Sequence, residues 1–180
     1  MRIISGQFKG RRISAPKKLP VRPTTDMAKE ALFNIINNQF YFDELSVLDL
    51  FSGTGNISYE FASRGTEDIT CVDGNYGCIK FINQVSDEFN MNLKTVKSDV
   101  YEFLESPAKK QYTIIFADPP YDFEIEQFSK IAELVFQNKL LEENGILIIE
   151  HSKHTSLEHI EHFKYFKGYG GNMFSFFAHV

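Results

Sequence analysis

The sequence contains no tryptophan, only two cysteines among its 180 residues, and no long apolar run. Cys71 and Cys78 stand seven positions apart, which gives neither a disulfide framework nor a metal-binding spacing. A reducing cytoplasm is the compartment this cysteine usage leads us to expect. The most apolar stretches, such as Ile146–Ile149, fall far short of the roughly 18–20 residues that a membrane helix needs. Met1-Arg2-Ile3-Ile4-Ser5-Gly6 is not read as a signal peptide, because its apolar run stops at once. Internal repeats and low-complexity segments are also missing. With 43% hydrophobic and 24% charged residues, the chain has the composition of one globular domain.

Basic residues are in the minority, 19 against 24 acidic ones, and the formal net charge of −5 speaks against a nucleic-acid partner. The average conceals an asymmetry. Residues 1–30 hold eight basic groups (Arg2, Lys9, Arg11, Arg12, Lys17, Lys18, Arg22 and Lys29) and two acidic ones, a net +6. The other 150 residues hold 11 basic and 22 acidic groups, a net −11. A basic arm on an acidic body suits a localised contact with a polyanion, although a solvated terminal segment would look the same.

Two β-branched-rich runs, 2–5 and 11–15, read as a small hairpin. Pro16, Pro20 and Pro23 make the next stretch extended and poor in helix. Thr24 or Thr25 then caps a helix with an apolar stripe at Ala28, Ala31, Leu32, Ile35 and Ile36, expected to run to about Gln39. From Ser46 onward, strand patterns at 47–50, 69–72, 95–97, 113–117 and 146–150 alternate with helical patterns at 57–63, 77–89, 100–104 and 125–138. That alternation predicts βαβ units and a mostly parallel sheet. Aromatic-rich runs at 163–166 and 173–179 read as a closing strand pair. The expected organisation is an N-terminal extension, 1–40, on a compact α/β unit, 41–180.

Val47-Leu48-Asp49-Leu50-Phe51-Ser52-Gly53-Thr54-Gly55 is a strand that ends in a tight glycine turn before a helix. The dinucleotide fingerprint is incomplete, because its third small residue is replaced by Ser58, and the Walker A loop is absent. Asp49, four residues before Gly53, would repel a pyrophosphate and suit a cationic ligand. S-adenosylmethionine, with its amino group and sulfonium, fits by charge. Asp73 closes the next strand, where a carboxylate can accept ribose hydroxyls. Asp99 follows the third strand and is followed by Val100; the plain alternative for Asp99 is a helix N-cap. Three acids at three successive strand ends say more together than any one alone. The arrangement from Asp49 to Gly55 resembles motif I of the class I methyltransferases. That resemblance implies that Asp49, Phe51, Gly53 and Gly55 line the methionine end of the cofactor, and that Asp99 meets its adenine.

Asp118-Pro119-Pro120-Tyr121 follows the fourth strand. Two prolines stiffen the turn and remove two amide donors, which leaves carbonyl acceptors facing outward. An exocyclic amine on a nucleobase is a poor nucleophile, because its lone pair is delocalised into the ring. If Asp118 and the Pro119 carbonyl accept both amine protons, density returns to nitrogen and the developing positive charge is stabilised. Tyr121 can stack on the base and align it for transfer. With the glycine loop and the strand-end acids, this tetrapeptide resembles the signature of amino-group methyltransferases. Adenine-N6 in DNA or RNA, guanine-N2 in RNA and glutamine amides in protein remain open as acceptors. The glutamine enzymes usually have Asn at this Asp, and DNA enzymes usually add a recognition domain for which 180 residues leave no space.

Arg2-Ile3-Ile4-Ser5-Gly6, Lys9-Gly10-Arg11, Arg22-Pro23-Thr24-Thr25-Asp26, Ser63-Arg64-Gly65 and Tyr169-Gly170 join the two motifs above in a pattern that resembles the RsmD family over nearly the whole chain. The resemblance implies a Rossmann-like class I methyltransferase with a seven-stranded sheet, S-adenosylmethionine as donor, and guanine-N2 of small-subunit ribosomal RNA as acceptor, within an assembled or assembling 30S particle. It also places Arg22, Pro23 and Thr24 next to cofactor and RNA. Arg2, Lys9, Arg11, Arg12, Lys17, Lys18 and Arg22 are the expected RNA contacts, with Phe8 weighed between stacking on RNA and local packing. Two features depart from the family: Asp73 stands where Glu is common, and Met27-Ala28-Lys29 is less basic than usual. The chain is expected to act as a monomer. No metal is expected; His151, His154, His159 and His162 are read as solvated loop and helix residues. An RNA-binding assembly factor that has lost turnover is the alternative outside catalysis.

Overall fold

The computed structural model of the protein describes residues 1–107 and 110–180. Its helices are α1 (Asp26–Asn37), α2 (Asn56–Ser63), α3 (Tyr76–Glu88), α4 (Val100–Glu105) and α5 (Ile125–Gln137). The strands are β1 (Ser46–Leu50), β2 (Asp68–Asp73), β3 (Leu93–Lys97), β4 (Tyr112–Ala117), β5 (Leu141–Ser152), β6 (Phe163–Tyr169) and β7 (Asn172–Phe177). They form one seven-stranded sheet in the order β3-β2-β1-β4-β5-β7-β6. The first five are parallel, and β7 inserts antiparallel between β5 and the edge strand β6.

Alternation along β1 explains the layers. Val47 points into a cluster with Leu32 and Phe33 of α1, Phe61 of α2 and Ile82 of α3. Leu48 and Leu50 point into a second cluster with Leu104 of α4 and Ile131 and Val135 of α5. A strand buried on both faces in this way belongs to a doubly wound sheet. The chain order reverses between β1 and β4, and the crevice beyond the carboxyl ends of the strands at such a point is where ligands bind. No helix among the described residues is long and apolar enough to cross a membrane.

Three expectations change. The N-terminal hairpin shrinks to a single antiparallel bridge, Arg2–Arg12. Its ladder cannot extend because the amides of Ile4 and Ser5 donate to the carboxylate of Glu60 on α2, at 2.7 and 3.2 Å, and the Ser5 carbonyl accepts from Ser63 Oγ at 2.6 Å. Helix α1 ends at Asn37, two residues early. Strand β5 starts at Leu141 rather than Ile146, with a register shift opposite 112–114 that absorbs its polar first half. The N-terminal segment also shares the core: Ile3 and Ile13 are buried in the same cluster as Val47 and Phe61.

Candidate active site

An acid stands at or just past the carboxyl end of each parallel strand: Asp49 (β1), Asp73 (β2), Asp99 (β3), Asp118 (β4) and Glu150 (β5). The first four line a cleft of about 530 Å³, together with Phe51, Gly53, Val100, Phe123 and the Asp118–Tyr121 loop. That volume lies within the roughly 300–1,000 Å³ typical of small-molecule sites.

Asp49 is 1% exposed and accepts a 2.6 Å hydrogen bond from Ser58 Oγ, which in turn accepts from Cys71 Sγ at 3.1 Å. Ser58, which removes the dinucleotide fingerprint, is thus the residue that holds Asp49. Burial raises the Asp49 pKa from 3.8 to about 7, with the Asp73 charge adding to the rise and the Ser58 bond opposing it. Between those values the folded chain holds a proton that the unfolded chain has lost, so ligand-free stability falls as pH rises through that window. We expect Asp49→Asn to match the wild type in stability at pH 4 and to be more stable by on the order of 4 kcal/mol at pH 8, in urea titrations. The same variant should bind a cationic ligand more weakly at pH 8. A variant no more stable than wild type at pH 8 would contradict this assignment.

Asp73 has two backbone donors, Gly53 N–H at 2.9 Å and Asn75 N–H at 2.8 Å, so it clamps the glycine loop while facing the cleft. Asp99 is the N-cap of α4, with Oδ1 accepting from Tyr101 and Glu102 amides at 2.9 and 3.1 Å. Its other oxygen is free of bonds to the cap. Phe51 adopts a left-handed backbone, φ 55°, at the turn out of β1, and packs edge-to-face on Phe123.

Gly55 does not line the cleft. It adopts φ 88° ahead of α2, and a Cβ there would lie 2.6 Å from the Tyr59 ring, so the turn itself calls for glycine. Thr24 lines the cleft, but its hydroxyl is committed to Glu150 Oε2 at 2.8 Å, and its carbonyl accepts from Asn56. Residues 19–24 cross the cleft as a strap. Leu19 sits over Gly77, where a Cβ would lie 2.8 Å from its Cδ2, and Val21 sits over Gly53. Further along, the Arg22 guanidinium lies 4.9 Å from the centroid of the Tyr121 ring. Tyr121 is 47% exposed.

Asp118 is held with its pKa well above the usual carboxylate range. Burial is the main cause, followed by the charges of Glu150 and Asp49, while Arg22 opposes. No sequence motif singles out Glu150. It is 2% exposed and accepts from Thr24 Oγ1 and, at 2.6 Å, from Asn172 Nδ2.

Several arm residues have partners within the chain. Arg2 pairs with Asp26 at 3.1 Å, and Arg11 lies over the Phe89 ring. Phe8, partly buried, packs edge-to-face on Phe89. Lys29 leaves the basic arm altogether: it is 1% exposed and donates to Arg2 O and Asn56 Oδ1. Arg2, Lys9, Arg11, Arg12, Lys17, Lys18 and Arg22 are all exposed. The histidines are not all solvated: His151 is buried with Nε2 2.7 Å from Ser175 Oγ, and His162 stacks on Phe136. Among the described residues, no group of three or more His, Cys, Asp or Glu is placed to hold a metal ion.

A doubly wound sheet with β7 antiparallel and an acid-rimmed cleft at the switch point is the fold of the class I S-adenosylmethionine-dependent methyltransferases. The protein TTHA0928 of Thermus thermophilus shares it with a TM-score of 0.85, at 23% identity over 99% of both chains. So does the T. thermophilus 16S rRNA N2 G1207 methyltransferase, solved with AdoMet and guanosine, with a TM-score of 0.69 at 18% identity over 90% of this chain and 45% of that one.

Sequence comparison narrows the class. A family model described as "Conserved hypothetical protein 95" matches residues 1–178. YlbH of Bacillus subtilis is 35% identical over 161 residues, 87% of this chain and 85% of its own. Ribosomal RNA small subunit methyltransferase D of Buchnera aphidicola subsp. Baizongia pistaciae is 32% identical over 151 residues, 83% of this chain and 75% of its own. The chain belongs to the RsmD family and is an S-adenosylmethionine-dependent rRNA methyltransferase.

Proposed function

We propose that the protein transfers a methyl group from S-adenosylmethionine to the exocyclic N2 amine of a guanine in small-subunit ribosomal RNA, within an assembled or assembling particle. The Asp118-Pro119-Pro120-Tyr121 loop at one end of the acid-rimmed cleft supports an amino group as acceptor, and the likeness to ribosomal RNA small subunit methyltransferase D supports that RNA as its carrier. The cofactor supplies an electrophilic methyl group on a sulfonium. Around it, Asp49 answers the ammonium, Asp73 the ribose hydroxyls and Asp99 with the Val100 backbone the adenine, while Phe51 and Gly53 shape the methionine end. Thr24 contributes surface, since its hydroxyl is engaged. Arg22 now covers the face of Tyr121 on which a base would stack. An incoming guanine takes that face, and Arg22 turns to a phosphate. Asp118 and the Pro119 carbonyl then accept the two amine protons, and Pro120 keeps the turn rigid.

The exposed arm residues Arg2, Lys9, Arg11, Arg12, Lys17 and Lys18, with Arg22, hold phosphates and position the particle rather than read its sequence. The protein acts as a monomer in the cytoplasm. For Lys17→Ala/Lys18→Ala we expect weaker RNA binding and a log–log salt slope shallower by about 1.5, from two lost phosphate contacts. Filter binding across salt concentrations would measure it; an unchanged slope removes both residues from the interface. The reading as a whole is tested by giving purified protein and tritiated S-adenosylmethionine to small subunits from a strain lacking the gene. Stoichiometric label in the RNA supports it, and an unlabelled subunit contradicts it.

A further inference from the structure

Glu150 takes no part in the chemistry above, yet it is buried behind the cleft and held by two side-chain donors. Strands β4 and β5 are parallel, with Ala117 opposite Ile149, and one residue further that register sets Asp118 beside Glu150. Adjacent strands lie about 4.8 Å apart. Two side chains donate to Glu150, Thr24 Oγ1 at 2.8 Å and Asn172 Nδ2 at 2.6 Å. Among the described residues, no donor reaches the carboxylate of Asp118. Two neighbouring carboxylates in a buried site do not both ionise readily. Burial raises the pKa of both groups, but the Thr24 and Asn172 donors oppose the rise at Glu150 while Asp118 has no such donor, so the first charge of the pair falls on Glu150 and the proton of the ligand-free cleft stays on Asp118.

Glu150 also anchors the strap. Through Thr24 it fixes the segment whose Arg22 lies over Tyr121, and through Asn172 it ties that segment to the start of β7. We propose that Glu150 is a positioning residue of the methyl transfer: it fixes the strap over the amine pocket and, as a fixed negative neighbour, makes Asp118 the group that accepts the proton released by the amine. The proposal rests on the reading that an exocyclic amine is methylated here. In the transfer, the amine lone pair forms the C–N bond while the C–S bond breaks and its electron pair stays on sulfur. Asp118 first gives its resting proton to solvent; the N–H bond then returns its pair to nitrogen, and the amine proton passes to the ionised Asp118 and on to solvent. A carboxylate with raised proton affinity suits this task better than an ordinary one. The groups facing Asp118 are Glu150 from β5, Asp49 from β1, and Arg22 from the strap, with Tyr121 in its own loop.

Carbon-13 NMR of ligand-free protein labelled at aspartate carboxyls, with Asp118 assigned by Asp118→Asn, measures the coupling directly. In Glu150→Gln we expect the Asp118 midpoint to fall by about one pH unit, and in Glu150→Asp to stay near wild type. The acid limb of single-turnover methyl transfer to small-subunit RNA, at saturating cofactor, should move in the same direction, with a plateau about tenfold lower. Thr24→Val removes one donor to Glu150 while keeping both carboxylates, so it should give a smaller fall and serves if Glu150→Gln does not fold. An Asp118 midpoint unmoved in folded Glu150→Gln, or in Thr24→Val where Glu150→Gln does not fold, overturns the proposal. Should the wild type transfer no methyl to RNA, the substrate reading fails, while the NMR titration still decides whether Glu150 controls Asp118.

Discussion

Asp118→Ala is expected to bind S-adenosylmethionine within about threefold of wild type and to transfer methyl groups about 100- to 1,000-fold more slowly, in single-turnover assays. The separation follows from position. Asp118 stands one strand away from Asp49 and Phe51, across the switch between β1 and β4. Its contribution is to accept from the amine as positive charge develops on nitrogen, so it acts in the transition state rather than in cofactor binding. Asp118→Asn keeps an acceptor oxygen without the charge and should retain intermediate activity. Transfer by Asp118→Ala at the wild-type rate would remove the residue from the chemistry. Loss of cofactor binding in step with activity would make it a cofactor residue instead.

Glu60→Ala is expected to cost about 3–5 kcal/mol of stability, read from urea denaturation. Glu60 is fully buried and receives the amides of Ile4 and Ser5; Lys29 Nζ lies 3.8 Å from one of its oxygens, and Arg64 Nε 3.4 Å from the other. Without the carboxylate, the buried ammonium of Lys29 loses its main counter-charge, and burial alone already draws its pKa down. Two backbone amides lose their acceptor as well. Glu60 shares the tie between the N-terminal segment and α2 with Ser63, so Glu60→Ala should also loosen the strap that follows it. A cost below about 1 kcal/mol would mean that the network is solvent-screened, as surface pairs are.

The βαβ order, the glycine loop and the Asp118–Tyr121 turn are legible in the sequence because each is a local pattern: a period of apolar residues, a turn that needs glycine, a pair of prolines after a strand. What sequence reasoning misses is non-local. Glu150 looks like the polar end of an apolar strand, and its donors Thr24 and Asn172 lie 126 and 22 residues away. Lys29 counts with the basic arm by position, although Lys29, Leu32, Phe33 and Ile36 follow the i, i+3, i+4, i+7 spacing of a buried face. That spacing is the available signal. Two β-branched runs around a glycine-bounded turn read as a hairpin, but their amides are drawn to Glu60, which no local rule contains. Ser58 is legible only as a missing glycine; its bond to Asp49 depends on how α2 meets β1.

The central claim is that the Asp118 loop methylates the N2 amine of guanine in small-subunit RNA. Its most direct test is mass-spectrometric nucleoside mapping of that RNA from strains carrying the wild-type gene, the Asp118→Ala gene and no gene. The account predicts one N2-methylguanosine that is present with the wild type and missing from the other two. An unchanged N2-methylguanosine profile, or the loss of a methyladenosine instead, would contradict it.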